Sequence, residues 1–278
     1  MESTVKVVVT GAAGFIGSRV LEAWALRLPA AGLLAVDHPL VPAKQDNLAV
    51  APGAAFLDHE TFLRELEAGR LNPELIIHLG ACSSTTETSW PYLEANNLKY
   101  SQRLWQWCAA HDARLIYASS AATYGDGAQG FDDDADPRRL QPLNLYGKSK
   151  HDFDLWVADQ IAAGARQPRQ SVGLKFFNVF GPGEGHKGRM ASMVFHGWHQ
   201  IRQQGFVRLF ESHRPDYGHG GQLRDFIYVR DVVRVIEALA DRPHVSGLFN
   251  LGTGQAESFR GLIEALFAAL GREPRIEY

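Results

Sequence analysis

The chain has 278 residues, 45% hydrophobic and 21% charged, a composition that supports one large folded core or one and a fraction. Its formal net charge of -3 offers no electrostatic case for nucleic acid or an anionic membrane, so the expected partner is a small molecule. Only Cys82 and Cys108 are present, in no metal-binding or disulfide spacing, and no run reaches the ~18 apolar residues of a membrane span.

Met1 leads almost directly into the apolar run at 5–9, without the basic start and small-residue cleavage site of a signal peptide. A reducing cytoplasm is the expected location. Short β-branched runs then alternate with longer helical patterns, which predicts a parallel sheet covered by helices. Strands are expected over 5–10, 33–36, 75–78, 114–118 and 171–176. Helices are expected over 15–28, 91–110 and 145–163, where apolar positions recur every three and four residues.

After Phe177 the pattern loosens. Gly181-Pro182-Gly183-Glu184-Gly185 reads as a loop, and 213–222 is polar and glycine-rich without an apolar period. Both look like substrate-side excursions. Strands over 226–229 and 248–251, with a helix from Asp231 between them, rejoin the main sheet. The last residues, Ile276-Glu277-Tyr278, alternate apolar and polar like the middle of a strand.

Gly11, Gly14 and Gly17 follow the first strand and open the first helix, the context in which a glycine pattern signals a dinucleotide. The first permits a tight turn, the second lets the backbone approach a pyrophosphate, and the third lets helix and strand pack closely. The helix N-terminus then offers free N–H groups to the phosphates. Asp37 ends the second strand, where a carboxylate accepts from the adenosine ribose hydroxyls; alone it favours NAD. A 2′-phosphate would be repelled there unless Lys44 or His38 moved in.

Tyr146 stands four residues before Lys150, so both share one helix face. A free tyrosine has a pKa near ~10 and is a poor base at neutral pH. A neighbouring ammonium and an oxidised nicotinamide would lower it, making Tyr146 the expected proton acceptor. Ser120 lies in a hydroxyl-rich run at the end of the fourth predicted strand, where such folds bind ligands, and could hydrogen-bond the substrate oxygen. Hydride transfer needs a base for the carbinol proton and a cation near that base, which Ser120, Tyr146 and Lys150 would supply.

These residues resemble the extended short-chain dehydrogenase/reductase superfamily, whose members mostly act on nucleotide-linked sugars. Several blocks are similar to its ADP-L-glycero-D-manno-heptose 6-epimerase family: Gly80 through Glu87, Tyr117 through Gly125, Phe176 through Pro182, Glu184 through Gly188, and Phe249 through Phe259. The resemblance implies an α/β fold, a Rossmann-type doubly wound parallel sheet with a smaller α/β substrate-binding domain. The dinucleotide domain is expected over 1–177 and 225–251, the substrate domain over 178–224 and 252–278. By the same resemblance, Phe15, Ile16, Asp37, His38, Lys44, Leu79, Gly80, Ala81, Cys82, Ser83, Asn96 and Lys150 align with cofactor contacts. Tyr146 and Lys187 align with the two catalytic acid/base residues. Asn178, Val179, Lys187, His196, Phe210, Glu211, Ser212, His213 and Arg224 align with contacts near the sugar nucleotide. Arg189 stands where the family has a serine touching substrate.

The resemblance further implies NADP rather than NAD as cofactor, with lysines offsetting the aspartate. Lys44 is one of these; His59 stands in place of the other. ADP-heptose is the implied substrate, a homopentamer the implied assembly, and family chains continue beyond residue 278 to add a substrate-side aromatic. Inverting a carbinol centre through a ketone moves its oxygen as well as its hydrogen, so a second acid/base is chemically sensible, and Lys187 in its glycine-flexed loop suits that role. A plain UDP-hexose 4-epimerase has no need of the Glu184 to Gly188 block. A nucleotide-sugar 4,6-dehydratase needs an Asp-Glu pair where this chain has Ala121 and Ala122. A non-catalytic NADP-binding sensor has no use for a phenolic base.

Overall fold

The computed structural model describes residues 5–38, 42–213, 215 and 217–278. The first part of the chain alternates strand and helix: β1 (Val7–Thr10), α1 (Phe15–Arg27), β2 (Leu33–Asp37), α2 (Pro42–Leu48), β3 (Ala55–Asp58), α3 (His59–Glu67) and β4 (Leu75–His78). Then come α4 (Trp90–Leu93), a π-helical turn over Glu94–Lys99, α5 (Tyr100–His111), β5 (Arg114–Ser120), α6 (Leu145–Ala162) and β6 (Gln170–Phe176). The chain continues through β7 (Asn178–Phe180), α7 (Met193–Gln204), β8 (Val207–Arg208), β9 (Leu223–Tyr228), α8 (Val229–Ala240), β10 (Gly247–Leu251), β11 (Ala256–Ser258), α9 (Phe259–Ala269) and β12 (Ile276–Glu277).

Seven strands form one sheet in the order β10-β6-β5-β4-β1-β2-β3, and every pairing in it is parallel. The order reverses between β1 and β4, the switch point at which an open α/β sheet leaves a crevice beyond its strand ends. An all-parallel sheet needs cover on both faces, and the strand residues show it. Val8, Leu34, Val36, Ile76 and Leu115 bury against Phe62 and Leu66 of α3, Leu104 and Trp105 of α5, and Phe153 of α6. Val7, Val9, Leu33, Ala35 and Ile77, which alternation turns to the other face, are equally buried. Burying each large side chain contributes roughly 1.5–3 kcal/mol.

Two compact units emerge: Met1–Phe176 with Val233–Leu251, and Phe177–Val232 with Gly252–Tyr278. The second has its own apolar centre, in which Ile201 of α7, Val207 of β8, and Ile263 and Phe267 of α9 pack together. Its strands form a three-stranded sheet, β11-β9-β7, and a two-stranded one in which β12 runs parallel to β8; the strand expected over 226–229 therefore does not rejoin the main sheet, as β10 does, because both edges of β9 are taken by β7 and β11.

Element boundaries depart from expectation at instructive places. The helix expected over 91–110 is interrupted by the π-helical turn, whose extra residue per turn re-aims the side chains that follow. The helix expected from 231 begins at Val229, directly after β9. No helix among the described residues is long and apolar enough to cross a membrane.

Candidate active site

The loop between β1 and α1 is tight because its glycines leave no room. Gly11 adopts φ 68°, and a Cβ there would lie 2.7 Å from the Gly80 nitrogen. A Cβ on Gly17 would lie 2.0 Å from the Gly11 carbonyl oxygen. The loop also closes on itself, with the Gly14 N–H donating to Gly11 O at 2.9 Å and the Ala12 N–H to Val36 O at 3.1 Å. Helix α1 starts from Gly14 with no side-chain cap and no acidic residue in its first turn. A helix start built this way suits an anion, because its first N–H groups have no partner within the helix. The residues present therefore fit the pyrophosphate of a dinucleotide. Phe15 is buried and Ile16 half-buried at this helix start, and Leu79, Gly80, Ala81 and Cys82 follow β4 on the neighbouring strand end, with Ser83 exposed.

Asp37 is 5% exposed, and its carboxylate is already engaged. Oδ2 accepts from the Ala13 N–H at 2.9 Å, while Oδ1 accepts from the His38 N–H at 2.8 Å and from Lys44 Nζ at 3.0 Å. The carboxylate thus ties β2 to the glycine loop, and Lys44 compensates its charge. Beside it, the rings of His38 and His59 stand 4.0 Å apart, and burial, followed by the neighbouring His59, lowers the His38 pKa.

A buried polar chain runs from this loop towards α6. Thr10 Oγ1 accepts from the Gly80 N–H at 3.1 Å and meets His78 Nδ1 at 2.7 Å, and His78 Nε2 meets Ser101 Oγ at 2.9 Å. Desolvation holds His78 neutral, its pKa lowered to about 3. Ser101 donates to Asn97 O at 2.6 Å. The Asn97 side chain accepts from the Cys82 N–H at 2.8 Å and donates to both Cys82 O and Ser149 Oγ at 2.9 Å. Ser149 in turn donates to Tyr146 O at 2.7 Å. Asn97, fully buried in the π-helical turn, is the residue that joins the β4 loop to α6. Its neighbour Asn96 is half-buried and turns its amide back to Tyr92 O at 2.9 Å.

Helix α6 starts from Asn144, whose side chain accepts from the Gly147 N–H at 2.8 Å, and this cap places Tyr146 in the first turn. The Tyr146 phenol hydrogen-bonds Ser120, which opposes the larger effect of burial; the net result is a pKa raised above the ordinary value. Lys150, 3% exposed, donates to Ala118 O at 2.9 Å. Burial lowers its pKa to about 8. The hydrogen bond on the phenol comes from Ser120, while the Lys150 ammonium, one turn along the same face of α6, is held by the end of β5. Ser120, Tyr146 and Lys150 nonetheless converge, two of them on one face of α6 and the third at the carboxyl end of β5.

In the second unit, Lys187 lies in a 3-10 helical segment over Gly185–Met190 that opens with the Lys187 N–H donating to Glu184 O at 2.9 Å. Glu184, 2% exposed, accepts from Ser192 Oγ at 2.8 Å and from the Gly181 N–H at 3.2 Å, so it pins this loop to the start of α7. Desolvation lowers the Lys187 pKa, with Glu184 opposing it. Arg189 is exposed. His196 is half-buried on α7, Asn178 and Val179 lie on β7, and Arg224 lies on β9 with its guanidinium 5.9 Å from the Phe259 ring centre. Phe210, Glu211 and His213 are exposed, and the Ser212 N–H donates to His219 Nδ1 at 2.9 Å.

A family model for the NAD dependent epimerase/dehydratase family matches residues 7–252. The chain belongs to that family. An ADP-L-glycero-D-manno-heptose-6-epimerase of Nitratidesulfovibrio vulgaris (strain DP4) is 46% identical over 280 residues, covering 98% of this chain and 83% of its own. The crystal structure of the Helicobacter pylori ADP-L-glycero-D-manno-heptose-6-epimerase aligns with TM-score 0.80 at 27% identity, over 99% of this chain and 85% of that one. A Thermus thermophilus UDP-glucose 4-epimerase in complex with NAD aligns with TM-score 0.74 at 26% identity, over 98% and 86%.

Family membership supports a nicotinamide cofactor. Two buried polar residues beside Tyr146 and Lys150 were not singled out in the sequence. Asn97 was overshadowed by Asn96, since only the π-helical turn decides which of the two faces inward. Asp154 continues the Tyr146 and Lys150 face by one more turn of α6, but a lone helical aspartate ordinarily reads as solvated.

The glycine loop yields a direct test. Gly17→Ala forces a methyl into the space of the Gly11 carbonyl, and such overpacking costs about 1–3 kcal/mol. The thermal midpoint should fall by roughly 2–4 °C for each kcal/mol in a chain of this size, and dinucleotide affinity, followed by calorimetric titration, should fall with it. An unchanged midpoint with unchanged affinity would show that the loop does not hold the geometry described.

Proposed function

We propose that the chain is an ADP-L-glycero-D-manno-heptose 6-epimerase, interconverting the two C6 epimers of ADP-glycero-β-D-manno-heptose, a precursor of the lipopolysaccharide inner core. The observation that carries this reading is the convergence of Ser120, Tyr146 and Lys150 beside a dinucleotide loop, in a chain 46% identical to a relative of that name. The enzyme acts in the cytoplasm as a homo-oligomer, a homopentamer by resemblance.

A nicotinamide dinucleotide held by the glycine loop would supply reversible uptake and return of hydride at C6. Tyr146 takes the proton from the C6 hydroxyl as that carbon is oxidised, and Ser120 holds the oxygen. The raised pKa of the resting phenol keeps it protonated at neutral pH. Proton uptake from substrate therefore depends on the positive charge that Lys150 and the oxidised nicotinamide bring to it. Inversion requires the C6 carbonyl to present its other face, and O6 moves with it. Lys187, its pKa lowered by desolvation, serves the second orientation as acid or base. Asn178, Val179, Arg189, His196, the run from Phe210 to His213, and Arg224 contact the sugar nucleotide.

The cofactor is NADP. Support comes from Asp37, whose carboxylate is bound to the Ala13 N–H, the His38 N–H and Lys44 rather than left to repel a 2′-phosphate. Lys44 and the imidazoles of His38 and His59 then offer donors to that phosphate. A free Asp37 carboxylate would instead favour NAD.

Turnover of ADP-D-glycero-β-D-manno-heptose, set against UDP-glucose and UDP-galactose, tests the substrate. ADP-heptose should be converted at least about tenfold faster, and equal or faster turnover of the UDP-hexoses would favour a 4-epimerase.

Tyr146→Phe should slow epimerisation by ~100-fold or more while leaving dinucleotide affinity nearly intact, because it removes a proton acceptor used during the chemistry. Lys187→Met should slow epimerisation comparably but spare a one-face reaction, dismutation of an aldehyde analogue at C6. Equal loss of both activities would return the chemistry to Tyr146 alone.

Lys44→Ala should weaken NADP binding by about tenfold, equivalent to ~1.4 kcal/mol, and NAD binding by far less. Tighter binding of NAD than NADP by the unaltered protein would overturn the cofactor assignment.

A further inference from the structure

Helix α6 carries a third polar residue on its inner face. Asp154 follows Lys150 by four positions and Tyr146 by eight, so the three lie in one row along the helix, with neighbours about 5–6 Å apart at Cβ. Asp154 is 3% exposed. Its Oδ2 accepts from Ser119 Oγ at 2.6 Å, while Oδ1 is buried with no hydrogen-bond partner.

Burying a carboxylate is costly unless a charge answers it. Two cations do. Lys150 stands one turn before it on the same helix, and Lys175, 1% exposed on β6, donates from Nζ to Thr123 Oγ1 at 2.9 Å and lies 4.3 Å from the centre of the Tyr124 ring. Each lysine stabilises the ionised carboxylate, Lys175 more than Lys150, and Asp154 in turn raises the pKa of both.

The strand register explains how this reaches the reacting groups. On β5, Ser119 pairs with Lys175 and Ser120 with Phe176, and alternation sends Ser119 and Ser120 to opposite sides of the strand. Ser120 turns to the Tyr146 phenol while Ser119 turns to Asp154, so one dipeptide ties β5 to α6 at both ends of the row.

We propose that Asp154 is a positioning residue of the redox site: by binding Ser119 and facing Lys150 and Lys175 it clamps the end of β5 to α6 and keeps the Lys150 ammonium charged for Tyr146. This rests on the reading of Tyr146 and Lys150 given above. The electrical consequence is simple. Asp154 favours the charged form of Lys150 against its burial, so replacing the anion removes that support and Lys150 gives up its proton more easily; Asp154 also raises the pKa of the Tyr146 phenol.

Other groups around the row must be weighed. From β4, His78 stays neutral, its pKa lowered by burial and then by the Lys150 ammonium; from the loop after β4, Cys82 raises the pKa of Lys150. From β5, the Tyr117 phenol is neutral, its pKa pushed up by burial. Beyond β5, Asp133 faces Lys175, and His151 on α6 feels Lys175 rather than Lys150. None of these is an ionised acid able to replace Asp154 beside Lys150.

The test follows the Lys150 side chain itself in protein labelled with 13C at lysine Cε, its resonance assigned by its loss in Lys150→Arg. In the unaltered protein the main titration of Lys150 should fall near about 8, with a smaller step near about 6 as Asp154 ionises. In Asp154→Asn the small step should vanish and the main midpoint should move to lower pH by ~1 unit, a tenfold change in the ammonium-to-amine ratio. The alkaline limb of kcat for ADP-heptose should move by the same amount, and Asp154→Glu should restore most of both.

A Lys150 curve without the lower step in the unaltered protein overturns the proposal even if Asp154→Asn does not fold. So does an unmoved Lys150 midpoint in folded Asp154→Asn, or a moved midpoint with an unmoved kcat limb. Failure of the unaltered protein to turn over ADP-heptose would count against the substrate reading instead, and the resonance would still decide the Asp154 contact.

Discussion

Polar side chains buried at the carboxyl edge of an all-parallel sheet must each find a partner, and here those partners determine where the reacting groups stand. Thr10, His78, Ser101, Asn97 and Ser149 form one such chain, from the glycine loop to the first turn of α6. Ser119, Asp154 and the two lysines form a second, beneath the same helix. Leaving any one of these groups unsatisfied costs roughly 1–3 kcal/mol, more for a charge. The cost constrains α6 against β4 and β5, so the Tyr146 phenol meets Ser120 without either side chain being free to wander.

Those same partners account for the protonation states of the site. Burial is the largest effect in raising the Tyr146 phenol and in lowering Lys150 and Lys187, and it moves each of these proton carriers away from its ordinary value. The two lysines move towards neutrality, as groups that exchange protons near pH 7 must. The phenol moves away from it, and only added positive charge brings it back. In the proposed reaction, a base that takes a proton only beside a charged, oxidised dinucleotide stays idle when no hydride acceptor is present.

Much of this was legible in the chain. The glycine spacing and the strand ahead of it located the loop, because a Cβ at Gly11 or Gly17 has nowhere to go. Asp37 was placed correctly at its strand end, yet its carboxylate turns to the loop backbone and Lys44, which depends on a backbone approach that no spacing encodes. Strand β3 escaped notice because it is short and only partly buried at the sheet edge. Helix α7 carries His, Gly, Trp and Gln in place of a regular apolar row and buries little beyond Gly197 and Ile201. The burial of Asn97 turned on one extra residue in a helical turn. Asp154 lay open to view, but its importance comes from Lys175, a residue on another strand.

The central claim is that C6 is inverted by withdrawing and returning its own hydride, with side chains moving only the O6 proton. Turnover of ADP-D-glycero-β-D-manno-heptose in D2O, with the C6 position of the product read by NMR and mass spectrometry, tests this most directly. The account predicts epimerised product with hydrogen retained at C6 and no net reduction of the dinucleotide. Deuterium at C6 would mean that a carbon-bound proton is removed by a base, and would contradict it.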